Sequence, residues 1–383
     1  MVSRLKNVPG IGVDRMGQLA DLAADPAILR LENLDTDVPP PKEALQATLK
    51  CVEKDENNSY LPFLGQNDLR QEICKQIEKR SGQAYDWQTE CIVTAGGCSG
   101  ILSTLLALLE PGDEVVLPDP TYAGIINRVR IAGGAPSFVP LIPSEKGWRL
   151  DLVRLKSAIS PKTKAIFMVN CSMPSGHVMN QEEWEAVCQL CKTNDTWLIY
   201  DAAMERILYD GRKIIHPSSF EGMRDRTIII GSASKEFRMI GWRVGWVVAP
   251  TSIINDIGLV SISNVVCQVG IGMPGVTAAF RADDAAQAVA IWEGRRNTLL
   301  EELNGLPVVP PHGGWSMLLN TRKLGLCPKV ASEKLLKEAK IAATPMQGWG
   351  DQAADYLRLV FSNESEERLR GVGAKIRKVL VCD

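Results

Sequence analysis

From about residue 90 the chain alternates short apolar runs with longer stretches that repeat apolar residues at helical spacing. The runs include Val115 to Leu117, Ala165 to Val169, Trp197 to Tyr200 and Thr227 to Ile230, and each is short enough to be a buried strand. Between them lie Asp151 to Ile159 and Gln181 to Lys192, with apolar positions three and four apart. Strand and helix in turn predict a mostly parallel sheet with helices on both faces, the α/β class. Such sheets bind ligands outside the carboxyl ends of their strands. The segments just after the runs are 119–122, 170–176, 201–205 and 232–235, and all four are polar.

The last hundred residues follow another pattern. A helical stretch near Ala285 to Leu303 leads to GGWSMLLN, a further helix, YLRLVFS and a basic amphipathic C-terminal helix. This predicts a smaller α+β domain. The expected division is an arm at 1–45 that joins the small domain, a large domain at 46–280, and the small C-terminal domain at 281–383. The Pro-rich DVPPPKEAL reads as a short rigid connection.

Composition narrows the function classes. The 383 residues carry a net charge of −2, 45% are hydrophobic and 23% charged, and the pI is near 6.1. That balance gives no electrostatic footprint for nucleic acid or an anionic membrane. No apolar run approaches the ~20 residues of a membrane-spanning helix. The opening MVSRLKNVPG has no secretory pattern, so a cytoplasmic location is expected. Ten cysteines at irregular spacings do not suggest a disulfide framework. Cys188 and Cys191 form a lone CxxC inside a helical pattern that Asn180 and Glu183 open as a capping box. With three scattered histidines, no metal site is expected.

The strongest chemical signal is SASKEFRMIGWRVGW at 232–246. A lysine placed after small hydroxyl residues at the end of a strand can form a Schiff base with an aldehyde cofactor. Ser232, Ser234 and Arg243 offer donors for a phosphate. The plainer reading is a Ser/Lys surface loop. A second signal is WLIYDAAMERILYDG, where Asp201 follows a buried strand. A lone carboxylate there is costly without a cationic partner, which a protonated pyridine nitrogen would be. A helix N-cap is the alternative.

In this order the motifs resemble the class I/II aminotransferases of fold type I, over nearly the whole chain. The resemblance implies a seven-stranded, mostly parallel sheet and pyridoxal 5'-phosphate as cofactor, with Lys235 as the Schiff-base lysine and Asp201 on the ring nitrogen. It implies a phosphate site at Ser232, Ser234, Arg243, Gly97 and Cys98, the last two from TAGGCSGIL. Tyr122 of PDPTYAG would stack on the ring and Arg358 of YLRLVFS would grip the substrate carboxylate. NSYLPFLGQNDLR implies a homodimer in which Tyr60 reaches the partner's cofactor phosphate.

Departures from the family bear on the reaction. Its N-P-x-N-P-T-G reads NCSMPSG here, which keeps Asn170 but puts Met173 where a hydrogen-bonding asparagine is usual. Met204 stands where a tyrosine is usual. Thioethers donate no hydrogen bonds, so the phenolic oxygen loses its usual donors and a raised Schiff-base pKa is expected. Transfer of an amino group from an L-amino acid to a 2-oxo acid remains the expected activity. The substrate loop reads LENLDTDVPPP, with Asn33 in place of a glycine and acids at Asp35 and Asp37 that could receive a cationic side chain. The alternative is therefore elimination, cyclisation or oxidation of a cationic amino acid, as in capreomycidine- or enduracididine-forming cyclases. One of Trp315 and Trp349 is expected in the side-chain pocket or in packing between the domains.

Overall fold

The computed structural model describes residues 5, 6, 8 and 13–381. Much of the opening segment read above against secretion lies outside them. The strands in chain order are β1 (Leu29–Arg30), β2 (Cys91–Thr94), β3 (Glu114–Asp119), β4 (Ala135–Ser144), β5 (Gly147–Leu150), β6 (Thr163–Val169) and β7 (Trp197–Asp201). They continue with β8 (Thr227–Ser232), β9 (Gly245–Val248), β10 (Val308–Val309), β11 (Ser316–Asn320), β12 (Ile341–Ala342), β13 (Thr344–Pro345) and β14 (Tyr356–Val360).

The large sheet has the order β2-β9-β8-β7-β6-β3-β4-β5. The run β8-β7-β6-β3-β4 is parallel throughout, while β9 is antiparallel to both neighbours. This is the mostly parallel sheet expected, with an eighth strand where seven were expected. The addition has a local cause. β4 runs on past its parallel partner, and the chain turns back at Gly147, φ 110°, so that Leu141 to Ser144 pair antiparallel with β5.

Successive side chains of a strand face opposite sides, and here both sides are apolar. Val116, Ile166, Leu198 and Ile229 pack on one side with Trp184 and Val187. Val115, Phe167, Ile199 and Ile228 pack on the other with Ile101, Leu105 and Ile257. Burial on both faces explains why the strand sequences read as unbroken apolar runs. The helix Gln181–Thr193 starts with the capping box read from the sequence, Asn180 and Glu183 bonding reciprocally. Cys188 and Cys191 are buried on that helix and free.

A second sheet, β10-β11-β14-β13, lies in the C-terminal part, and β1 pairs in parallel with β12. Leu29 and Leu31 share a core with Trp292, Leu299, Leu359 and Ile376, so the N-terminal arm packs with C-terminal elements. Among the described residues no helix is long and apolar enough to cross a membrane, and no cluster of His, Cys, Asp and Glu could hold a metal ion.

Candidate active site

The carboxyl ends of the parallel strands open onto a cavity of about 330 Å³. Its lining includes Lys235, Asp201, Tyr122, Gly97, Cys98, Ser232, Ser234, Arg243, Arg358 and Asn33, from segments far apart in sequence.

One end of the cavity is built to take an anion. The helix Gly97–Leu108 presents its first turn there, where free N–H groups and the helix dipole favour negative charge. Ser232 Oγ lies 3.0 Å from Ser234 Oγ, and Arg243 Nη1 lies 3.4 Å from Ser234 Oγ. Close approach depends on glycines. Gly96 has φ 80°, and a Cβ on Gly245 would lie 2.4 Å from the Gly97 nitrogen. The donor set and the lack of side-chain bulk fit a phosphate.

At the other end of this wall Asp201 closes β7. Its carboxylate accepts the Ala203 N–H at 3.0 Å within a turn, and no helix follows for it to cap. That bond does not offset burial, which pushes the Asp201 pKa up to about 6. A cationic ring nitrogen in the cavity would remove that penalty. The site therefore fits pyridoxal phosphate at both ends. Tyr122 stands beside the helix start, its ring 5.7 Å from Trp349.

Lys235 is partly buried, and desolvation pushes its pKa down to about 8, which a nearby Asp35 charge opposes. Its Nζ donates to the Leu34 carbonyl at 3.0 Å and sits 4.9 Å from the centre of the Trp315 ring. Behind it, Glu236 lies 3.5 Å from Arg80, which also pairs with Glu205. Tyr200 donates to Glu205 at 2.9 Å, joining the end of β7 to the lysine segment.

Arg358 is 1% exposed, and burial lowers its pKa to about 10. One Nη donates to the Glu32 carbonyl and to Thr344 Oγ1 at 3.4 Å, and the other meets only the Met173 sulfur, at 3.7 Å. Its Nε has no partner among the described residues. Trp349 lies under the guanidinium at 4.9 Å. A buried guanidinium this poorly satisfied is suited to a carboxylate, which takes parallel N–H donors.

Some residues expected at the site stand elsewhere. Asn170 does not line the cavity, because its side-chain oxygen accepts the Met179 N–H at 2.9 Å. Asp35 accepts the Thr36 N–H at 2.8 Å and does not line the cavity. Asp37 is paired with Arg295 at 2.6 Å, so it holds the loop to a buried arginine and is not free for a substrate cation. Tyr60 is 81% exposed and lies outside the cavity of its own chain. Met173 and Met204 do line it.

Others were not anticipated. Arg128 donates from Nε to the Cys98 carbonyl at 3.0 Å and from Nη1 to the Gly124 carbonyl at 2.7 Å, tying the helix start to the Tyr122 turn. Asp119 accepts the N–H groups of Asp351 and Gln352, each at 2.9 Å. With the Thr121 N–H on the Trp349 carbonyl, 2.9 Å, this fastens the Trp349 loop to the end of β3. Helical spacing from Gly124 could have flagged Arg128, whereas nothing local links Asp119 to residue 351.

The sequence pattern of the aminotransferase class I and II family matches residues 29–376. An aromatic-amino-acid aminotransferase of Thermococcus litoralis is 30% identical over 327 residues, 84% of either chain. An arginine–pyruvate transaminase of Pseudomonas aeruginosa is 30% identical over 357 residues, 89% of this chain and 87% of its own. Among solved structures, an aspartate aminotransferase of Thermus thermophilus superposes with a TM-score of 0.91 at 27% identity, covering 99% of each chain. With a cavity that fits the cofactor and relatives of this kind, the chain belongs to the class I and II aminotransferases and is a pyridoxal-phosphate-dependent transferase of fold type I.

Proposed function

We propose that the chain moves the amino group of L-amino acids with uncharged, apolar side chains to a 2-oxo acid. The observation that carries this reading is the apolar part of the cavity lining, Leu34, Met173, Met204, Ile240 and Trp349, of which Met173 and Trp349 lie against Arg358. The acid that lines the cavity, Asp201, stands where the ring nitrogen needs it. The relatives named above are aminotransferases and Asp37 is already paired with Arg295, so neither supports a cyclising or eliminating enzyme for cationic substrates.

When bound, pyridoxal phosphate supplies an aldehyde and a conjugated ring that takes up electrons. Lys235 would carry it, with the first-turn N–H groups of Gly97 and Cys98, Ser232, Ser234 and Arg243 on the phosphate. Tyr122 would lie against the ring. Asp201 would hold a proton on the ring nitrogen. Arg358 would bind the substrate carboxylate and so aim the α-carbon toward Lys235. The freed amine of Lys235 would take the α-proton and deliver it to the cofactor's aldehyde-derived carbon on the far side of the nitrogen, a general base followed by a general acid. Asn33 borders the same space from the arm.

We read the surface around Tyr60 as a homodimer contact. Leu49 at 71%, Phe63 at 51% and Leu259 at 65% exposure lie on nearby segments, and large exposed apolar patches mark interaction sites. Tyr60 would then complete the partner's phosphate site. The reading also keeps the division at 1–45, 46–280 and 281–383 and a cytoplasmic setting.

A panel of leucine, methionine, phenylalanine, aspartate and arginine with several 2-oxo acids tests the substrate class. The apolar amino acids should exceed the charged ones in kcat/KM by about a hundredfold or more, the scale of one unpaired buried charge at about 3–5 kcal/mol. A preference for arginine or aspartate would overturn it.

A further inference from the structure

Lys235 has surroundings that its place in the reaction does not explain. Its amine rests between the Leu34 carbonyl, 3.0 Å away, and the face of Trp315, 4.9 Å from the ring centre. Both neighbours interact more strongly with an ammonium than with a neutral amine. A carbonyl oxygen accepts a charge-assisted bond, and an aromatic face attracts a cation, tryptophan most of all.

The two are fastened to each other. Trp315 is 1% exposed and meets Trp292 edge to face, with centroids 5.0 Å apart. Trp292 Nε1 donates to Thr36 Oγ1 at 3.0 Å, two residues along the loop from Leu34. Thr36 Oγ1 donates in turn to the Ser362 carbonyl at 3.0 Å, and the Trp315 carbonyl accepts the Phe361 N–H at 3.0 Å. Ring and carbonyl therefore keep a fixed spacing.

Phenylalanine at 315 would bury no N–H. The indole Nε1 of Trp315 is buried with no partner among the described residues, and an unpaired buried N–H costs stability. The larger ring brings that cost together with a stronger attraction for the cation.

We propose that Trp315 is a positioning residue which, with the Leu34 carbonyl, stabilises the protonated form of the free Lys235 amine, and so sets how readily that amine takes up a proton. An amine that accepts a proton becomes this ammonium, so holding it favours the acceptance. This rests on the reading of Lys235 as the proton carrier. The other charged or titratable groups that act on it are Asp35 from the arm, Arg358 from β14, Cys98 from the helix start and Arg243, and none changes when residue 315 is replaced.

The test uses cofactor-free protein. Limiting acetic anhydride at a series of pH values, with mass spectrometry of the Lys235 peptide, gives the midpoint at which the amine becomes reactive. Trp315→Leu should lower that midpoint by about half to one pH unit, and Trp315→Phe by less. Tryptophan fluorinated stepwise at position 315 keeps the shape and weakens the ring's negative face, so the midpoint should fall with each fluorine whether or not the leucine variant folds. In the cofactor-loaded enzyme the acid limb of kcat should move with the midpoint, while KM stays within about twofold. A flat fluorination series, or Phe and Leu variants with equal midpoints, would overturn the proposal. Wild-type transamination by Lys235→Ala would instead remove the reading of Lys235 itself.

Discussion

A Cβ placed on Gly96 would lie 2.5 Å from Nη2 of Arg243. Gly96 also holds φ 80°, a conformation that L side chains rarely adopt. The phosphate cradle is thus closed by a contact that only glycine permits. Gly96→Ala should fold and weaken cofactor retention by about tenfold or more, since backbone strain of about 1–3 kcal/mol adds to the displacement of Arg243. Equilibrium dialysis of pyridoxal phosphate against the variant measures this, and unchanged affinity would remove Arg243 from the cradle.

Asp37 and Arg295 form a bridge with Arg295 only 8% exposed in its side chain. Asp37→Asn leaves a nearly buried guanidinium with a weaker partner. The melting temperature should fall by several degrees, on the order of 1–2 kcal/mol. The ratio of kcat/KM for leucine to that for arginine should not move by more than about twofold, because Asp37 is engaged in the fold. A selective loss of activity with arginine would return Asp37 to the substrate.

Lys235 makes the cofactor-free protein's stability depend on pH. Its folded pKa is about 8, below the ordinary 10.5 of the unfolded chain. Below pH 8 both states are protonated and the full cost of desolvating the ammonium is present. Between 8 and 10.5 the unfolded chain binds more protons, so stability rises with pH. Lys235→Met should therefore be more stable than the cofactor-free parent at pH 7, by about 3 kcal/mol from the pKa difference. The gap should close by about pH 10.5, as urea unfolding across this range would measure. A pH-independent gap would mean that packing, not charge, separates the two.

The sequence made the α/β alternation, the strand ends and several residues that meet in the cavity legible because each follows from local order. Lys235, Asp201 and Arg243 follow strands or turns whose geometry is set within a few residues. What escaped depended on distant partners. The carboxylate of Asp37 looks available in LENLDTDVPPP, and only folding brings Arg295 to it. Asn170 keeps the family's residue, yet its side-chain oxygen is taken up by the Met179 N–H. The eighth strand was hidden because β4 continues beyond its parallel partner into a hairpin, which no single apolar run announces. Of the two tryptophans considered, Trp349 lines the cavity and Trp315 lies against the lysine amine, a difference invisible in GGWSMLLN and QGWGD.

The loop that carries Trp349 is held by main-chain atoms: the Asp119 carboxylate takes N–H groups at 351 and 352, and the Thr121 N–H takes the carbonyl at 349. No side chain of the loop is used in this fastening. A smaller side chain at 349 would therefore reshape the pocket and remove packing against Tyr122 and Arg358 while the main-chain mounting stays put. Residue 350 admits no side chain, for a Cβ there would meet Asp119 Oδ1 at 2.0 Å. The pocket can thus be reshaped at one position while the next is frozen, and a change at 349 also reaches the Arg358 guanidinium that its indole faces.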